Sequence, residues 1–323
     1  MCNVLVSGAN GFVGRALCDL LISHEMNVSA AVRGNAARKK GLNSVSVGDI
    51  GADTDWCSVL EGVDCVVHLA ARVHVMNETN ADPLEAFRRV NTAGSEKLAR
   101  DAAKMGVKRL IYLSTIKVNG EQTYDVPFNE KIEYPPIDPY GVSKWEAEKC
   151  LRQVSAETGM EVVIIRPPLI YGPGVKGNFL TMLKLVSKGF PLPLACAKNK
   201  RSFIGLSNLV DLIRECIVNP RARGQTFLVS DGEDVSTAEL IKVIAASMGK
   251  SSPLVPVPVS LLNLGAAIVG KKAVARRLLG SLQVDSSHVR QVLGWLPSDS
   301  VEHEVERVVA WYQAKEVGKY SKI

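Results

Sequence analysis

Residues Pro139 to Lys144 read PYGVSK, which sets a phenol and an ammonium four positions apart. Residues i and i+4 of a helix share a face, so Tyr140 and Lys144 can address one target. A tyrosine titrates near about 10, and making it useful near neutral pH asks for roughly 4 kcal/mol of help. An adjacent ammonium supplies part of that by favouring phenolate, and the positive ring of an oxidised nicotinamide would add more. Tyr140 is thus the candidate acid–base group, and Lys144 its electrostatic partner and a donor to the nicotinamide ribose. The spacing also arises by chance, so its weight depends on what else the chain carries.

Upstream, YLSTIKVNG closes an apolar run at 109–115 with two adjacent hydroxyls. Side chains alternate faces along a strand, so one of Ser114 and Thr115 faces the site and the other packs. A hydroxyl, a phenol and an ammonium at the carboxyl end of a parallel strand form a set suited to hydride transfer at a carbinol carbon.

A cofactor seat precedes them. SGANGFVG places Gly8, Gly11 and Gly14 directly after the first apolar run and at the start of a helical one. Glycine permits the tight turn and close backbone approach, and free N–H groups at a helix start face a pyrophosphate. The spacing is GxxGxxG, and its place in the first strand-to-helix turn points to a dinucleotide. The second strand should end on the group that reads the adenosine ribose, a carboxylate for NAD or an arginine for NADP. Here Val32 stands in the acid's place and Arg33 follows, which favours NADP over NAD. Asp49 and Ile50 are candidates to hold the adenine, one by a hydrogen bond and the other by packing.

The elements that must position these groups are legible in the apolar runs. Runs at 3–8, 27–33, 65–70, 109–115 and 161–167 alternate with helical stretches near 12–24, 84–105 and 142–158. Continuous apolarity suits strands covered on both faces, and the alternation predicts an α/β fold with a Rossmann-type doubly wound parallel sheet. After Pro167 the chain turns rich in Pro and Gly, and isolated runs at 202–206 and 226–230 follow. We expect a dinucleotide-binding domain over 1–170, with 201–232 returning to it. A smaller, partly interleaved α/β lobe over 171–200 and 233–323 is expected to bind substrate.

Composition narrows the class. The 323 residues are 46% hydrophobic and 22% charged, ordinary for a soluble α/β protein. A net charge of +6 suits an anionic ligand, while the densest basic cluster, Arg38-Lys39-Lys40, is too short for a nucleic-acid arm. Seven scattered cysteines without a CxxC pair indicate reduced thiols in a cytoplasmic setting and no metal site. No signal peptide precedes the first apolar run. Leu254 to Gly270 is long and apolar but interrupted by Pro256 and Pro258, and falls short of the ~20 residues a membrane span needs. We expect a buried or partner-facing helix there, with membrane contact as the lesser alternative.

With GANGFVG, GDI (48–50), HLAA (68–71), VNTAGS (90–95), LSTIKVNG (113–120), PYGVSK, RPPLIYGPG (166–174) and VDSSHVRQVLGW (284–295) in this order, the chain resembles an extended short-chain dehydrogenase/reductase of the nucleotide-sugar epimerase and dehydratase group. The resemblance implies Thr115, five residues before Gly120, as the catalytic hydroxyl beside Tyr140 and Lys144. It implies cofactor contacts at Gly8, Gly11, Phe12, Val13, Gly14, Arg33, Asp49, Ile50, Leu69, Ala70, Ala71, Tyr140, Lys144 and Pro167, and a mainly structural Asn91. On the substrate side it implies Thr115, Asn178, Arg201 and Arg276, the last three toward the diphosphate of a UDP-sugar. It also implies a homodimer through the helices near 84–105 and 142–158.

Three reactions are open to such a site. Dehydratases of the group follow the threonine with Asp-Glu, and Ile116-Lys117 stand here, which argues against dehydration. A 4-epimerase acting on UDP-glucose or UDP-GlcNAc holds NAD through a full cycle, whereas a 4-ketoreductase delivers hydride once and is commonly NADP-linked. Val32-Arg33 tips the expectation to the reductase, and the chain is similar to bacterial O-antigen proteins that reduce UDP-4-keto-6-deoxy-N-acetylhexosamines. A non-catalytic NADP-binding sensor or scaffold is the remaining class, and such proteins usually lose the tyrosine or the lysine.

Overall fold

The computed structural model describes residues 2–34, 41–73, 82–131 and 135–320, and the Arg38–Lys40 cluster lies outside them. The strands are β1 (Asn3–Ser7), β2 (Asn27–Val32), β3 (Leu42–Ser46), β4 (Cys65–His68), β5 (Arg109–Leu113), β6 (Glu161–Arg166), β7 (Leu169–Tyr171), β8 (Arg201–Gly205), β9 (Thr226–Leu228) and β10 (Asp234–Val235). The helices of the first half are α1 (Phe12–Ser23), α2 (Cys57–Leu60), α3 (Pro83–Phe87), α4 (Gly94–Lys104) and α5 (Pro139–Thr158). Those of the second are α6 (Gly177–Ser187), α7 (Leu206–Val218), α8 (Thr237–Ser247), α9 (Val259–Ile268), α10 (Lys272–Leu279), α11 (Ser287–Leu293) and α12 (Val301–Tyr320).

Seven strands form a parallel sheet in the order β3-β2-β1-β4-β5-β6-β9. Val4 of β1 pairs with Val28 on one side and Cys65 on the other, which makes β1 central and covered. Its apolar side chains alternate between two cores. Val4 and Val6 join Leu17, Leu21, Leu209 and Ile213 on the face of α1 and α7. Leu5 joins Leu98, Leu110, Leu151 and Ile164 on the face of α4 and α5. Strand order reverses between β1 and β4, so the crevice at their carboxyl ends is the place for a ligand. β3, an edge strand reading LNSVS with no buried residue, has no apolar run to announce it.

The stretch 201–232 is divided between two sheets. β9 closes the large sheet against β6, while β8 pairs with β7 and β10 in a separate three-stranded sheet. A further core of Tyr171, Phe179, Leu183, Ile241, Val305 and Val308 joins α6, α8 and α12.

Two helices carry local surprises. α5 begins three residues before the expected 142, because the Asp138 carboxylate accepts from the Gly141 amide at 3.0 Å and Pro139 takes the first helical position. Gly159, at φ 76, ends it. The stretch expected as one helix near 84–105 is α3 and α4 joined by a π-helical turn over Arg88–Ala93. Of the buried or partner-facing helix expected within Leu254–Gly270, the buried alternative is not met: α9 contains no buried residue. Its Leu262 packs on the C-terminal core, while Leu261, Leu264 and Ile268 stay exposed.

Candidate functional site

The glycine loop is packed as a close-approach turn. Gly8 sits at φ +71, and a Cβ on it would come within 2.7 Å of the Ala70 amide nitrogen. A Cβ on Gly14 would lie 2.7 Å from the Ala9 Cα, so the first turn of α1 meets the loop at a residue without a side chain. Gly11 caps α1 without any side-chain bond, leaving the first amides of the helix open to an anion. Phe12 bridges two of the cores and Val13 is buried, so both brace the loop from behind. A dinucleotide pyrophosphate fits these residues.

At the adenosine end, Val32 is buried at the tip of β2 and Arg33 is exposed beyond it. The Arg33 Nη1 lies 4.0 Å from the Asp49 Oδ1, both side chains largely in solvent. Thr54 donates to the Asp49 carbonyl at 3.0 Å and accepts from the Gly51 amide at 2.9 Å, fixing the turn that carries Asp49 and Ile50. Ile50 packs beside Gly94, where a Cβ would press into its Cγ2 at 2.6 Å. Leu69, Ala70 and Ala71 follow β4 and are half-buried, the Leu69 amide bonded to the Ser7 carbonyl. Pro167 is buried, and its carbonyl accepts from the Ile116 amide at 2.9 Å, tying the end of β6 to the threonine loop.

The two hydroxyls at the end of β5 have separate fates. Ser114 is buried and donates to Glu148 at 2.6 Å. Thr115 is half-buried, with its hydroxyl accepting from the Lys117 amide at 3.3 Å, and is the one of the pair left for a substrate. Tyr140, in the first turn of α5, packs edge-on against Phe87 at 5.9 Å between centroids. Lys144 is 1% exposed and sets its ammonium 4.0 Å from the centre of the Tyr112 ring on β5.

Charge behaves differently here from the expectation built on spacing. Burial pushes the Tyr140 phenol upward and Asp138 adds to the rise. Burial also lowers Lys144 from its ordinary 10.5 to about 7, against a smaller upward pull from Glu148. The chain thus supplies a desolvated phenol and a desolvated amine whose positive charge is only partly retained near neutral pH. A testable consequence concerns stability. Between 10.5 and about 7 the unfolded chain holds the Lys144 proton more tightly than the folded one, so stability rises with pH across that window. Lys144→Met should therefore stabilise the cofactor-free protein by about 2–4 kcal/mol below neutral pH, the gain shrinking as pH rises. Urea unfolding of both proteins in acid and in alkali measures it; a variant no more stable than wild type in acid would refute it.

Behind these groups lies a buried polar scaffold that sequence reasoning did not assemble. Asn91, in the π-helical turn, accepts from the Arg72 amide at 2.8 Å and donates to the Arg72 carbonyl and the Ser143 hydroxyl, each at 3.0 Å. Ser143 in turn donates to the Tyr140 carbonyl at 2.8 Å. The His68 Nδ1 pairs with the Ser7 hydroxyl at 2.6 Å and its Nε2 with the Ser95 hydroxyl at 2.9 Å. Burial and then Lys144 lower its affinity for a proton to about 3, so it is neutral. One helical turn past Lys144, Glu148 accepts from Arg166 at 2.9 and 2.6 Å, and both are fully buried. Lys117 Nζ lies 3.1 Å from the Asp138 Oδ2, joining the threonine loop to the cap of α5. HLAA and VNTAGS were signals for His68, Asn91 and Ser95; nothing local marked Glu148 as buried.

On the substrate side, Arg201 and the backbone of Arg276 both bond Gly280, while Asn178 lies apart from them. Arg201 donates to the Gly280 carbonyl at 3.0 Å, and burial lowers its pKa. Arg276 sits in the last turn of α10, where its carbonyl accepts from the Gly280 amide and its Nη1 approaches Glu121 at 3.8 Å. Asn178 is exposed in the first turn of α6 and makes no hydrogen bond to either arginine among the described residues. No metal-ligating cluster occurs among the described residues, and no helix there is long and apolar enough to cross a membrane.

Comparison with known proteins adds to this geometry. Residues 4–230 match the model of the NAD dependent epimerase/dehydratase family. The chain is 46% identical over 303 residues to a Vibrio cholerae protein named UDP-glucose 4-epimerase, covering 93% of this chain and 92% of that one. It is 28% identical over 279 residues to the Escherichia coli O157:H7 protein named N-acetyl-alpha-D-glucosaminyl-diphospho-ditrans,octacis-undecaprenol 4-epimerase, covering 84% and 82%. Among solved structures it superposes on the UDP-glucuronic acid 4-epimerase from Bacillus cereus in complex with NAD, with a TM-score of 0.78 and 19% identity over 97% and 99% of the two chains. At that identity the likeness is one of fold.

Proposed function

The chain belongs to the NAD-dependent epimerase/dehydratase family, and from that premise we propose that it is a 4-epimerase of a nucleotide-activated hexose or N-acetylhexosamine, with UDP as the nucleotide and NAD as the cofactor. The single observation that carries this reading is the 46% identity, over nearly the full length of both chains, to a protein named UDP-glucose 4-epimerase. The epimerase therefore stands ahead of the reductase expected from Val32-Arg33. Asp49 near Arg33 also supports NAD, since a carboxylate at that end accepts ribose hydroxyls and repels a 2′-phosphate.

In this reading residues 1–170, with α7, β9 and α11, form the dinucleotide domain, and the other C-terminal elements form the substrate lobe. A homodimer pairs through α4 and α5. Seven cysteines, none of them in a disulfide, are consistent with a reducing, cytoplasmic setting. A nicotinamide dinucleotide held by the Gly8–Gly14 loop and Lys144 would supply the acceptor and donor of hydride for C4. Thr115 holds the C4 oxygen, and Tyr140 takes its proton as the carbonyl forms and returns it after the sugar has turned. Lys144 orients the nicotinamide ribose and contributes positive charge when protonated. Arg201 and Arg276 meet the diphosphate, with Asn178 as a further contact. Ile116-Lys117 leave no carboxylate pair for dehydration.

A second reading, an NADP-linked 4-ketoreductase, is favoured by one observation: the exposed Arg33 after a buried Val32. One experiment separates the two. Purified protein incubated with UDP-glucose or UDP-GlcNAc and no added cofactor should yield the C4 epimer in repeated turnovers. Failure to form any epimer, with NADPH consumed only when a UDP-4-keto-6-deoxy sugar is present, would establish the reductase instead.

A further inference from the structure

The charge of this protein is concentrated in one segment. Residues 240–284 hold six Lys and Arg (Lys242, Lys250, Lys271, Lys272, Arg276, Arg277) and no Asp or Glu. Of the chain's 39 Lys and Arg that leaves 33, against 33 Asp and Glu, so the whole net charge of +6 belongs to this segment. Within it, α9 has two opposed stripes. Val259, Leu262 and Ala266 are half-buried, with Leu262 on the C-terminal core. Leu261, Leu264 and Ile268, spaced i, i+3 and i+7, are 57%, 58% and 78% exposed. At about 100° per residue the two stripes point in nearly opposite directions. Val269, which caps the helix, is 64% exposed, and Lys271 and Lys272 follow two residues on.

We propose that the exposed face of α9, with Lys271 and the cleft-lining Lys272 just past its C-terminal end, docks on the surface of an anionic phospholipid bilayer. An uncovered apolar stripe bordered by cations and free of acids is the composition of a helix that lies in the headgroup region. Polar headgroups accept the lysines while Leu261, Leu264 and Ile268 enter the acyl boundary. A second copy of the chain is the poorer occupant, because a two-fold contact would set this basic segment against itself. The docking is peripheral, in keeping with the absence among the described residues of any helix able to cross a membrane. Arg276 and Gln122 line the cleft between α9 and α10, so docking brings the diphosphate corner close to the lipid surface.

Flotation with vesicles tests this, comparing phosphatidylcholine alone with the same lipid containing about a third phosphatidylglycerol. The wild-type protein should bind the anionic vesicles at low salt at least about tenfold better than the neutral ones, and release in molar salt. Leu264→Glu with Ile268→Glu, and separately Lys271→Glu with Lys272→Glu, should each lower binding about tenfold or more at an unchanged melting temperature. Absence of wild-type binding to the anionic vesicles would overturn the proposal, and so would folded variants that float like wild type. A change in particle mass caused by Leu264→Glu with Ile268→Glu would overturn it too, by showing that protein covers this face.

Discussion

Tyr140→Phe lowers kcat about a thousandfold while leaving folding and cofactor content unchanged. The substitution removes only the phenolic oxygen, and the ring that meets Phe87 at 5.9 Å stays in place. A positioned proton carrier contributes about 10²–10⁴ in rate, which sets the expected loss. A structural tyrosine would instead lower the melting temperature and release cofactor. The split is checked by measuring turnover, melting temperature and bound NAD on one preparation. Turnover within tenfold of wild type would remove Tyr140 from the chemistry and revive the sensor or scaffold class.

Glu148→Ala should cost about 3–5 kcal/mol of stability, the range for stripping one partner from a buried ion pair. Arg166 would keep its Asn119 contact at 3.2 Å but lose both carboxylate bonds inside a site closed to water. The Ser114 hydroxyl would lose its 2.6 Å acceptor as well. Replacing both partners, as Glu148→Met with Arg166→Met, should recover much of the loss, because no charge then remains buried. Urea denaturation of the three proteins decides it, and a single-variant loss below about 1 kcal/mol would show that the pair carries little.

The chemistry was more legible than the scaffold that holds it. Tyr140, Lys144 and the glycines announce themselves because the cofactor demands them at short, fixed spacings. Strand alternation alone left Ser114 and Thr115 equivalent, and only the family pattern singled out Thr115. Glu148, 18 residues from Arg166, resolves that choice, and a partner so remote has no local signature. Central strands such as β1 are readable as apolar runs, whereas β3 is half-exposed and polar and left no trace. α9 was legible only as a choice between burial and a partner, because apolar composition does not say that only one of its stripes meets the core. Proton affinities were the least accessible, since desolvation of Tyr140 and Lys144 depends on packing from β5, α3 and α5 together.

The Lys117–Asp138 tether bears on how reaction types diverge in such folds. The dehydratase pattern asks for a glutamate at position 117, but here that change would bring a third carboxylate to Asp138 and Glu121, which Lys117 now holds at 3.1 and 3.7 Å. The lysine that closes the route to elimination also anchors the helix carrying the tyrosine. An evolutionary passage from this chain to a dehydratase is therefore not a single step: position 138 would have to surrender its charge first, at the expense of the cap it provides.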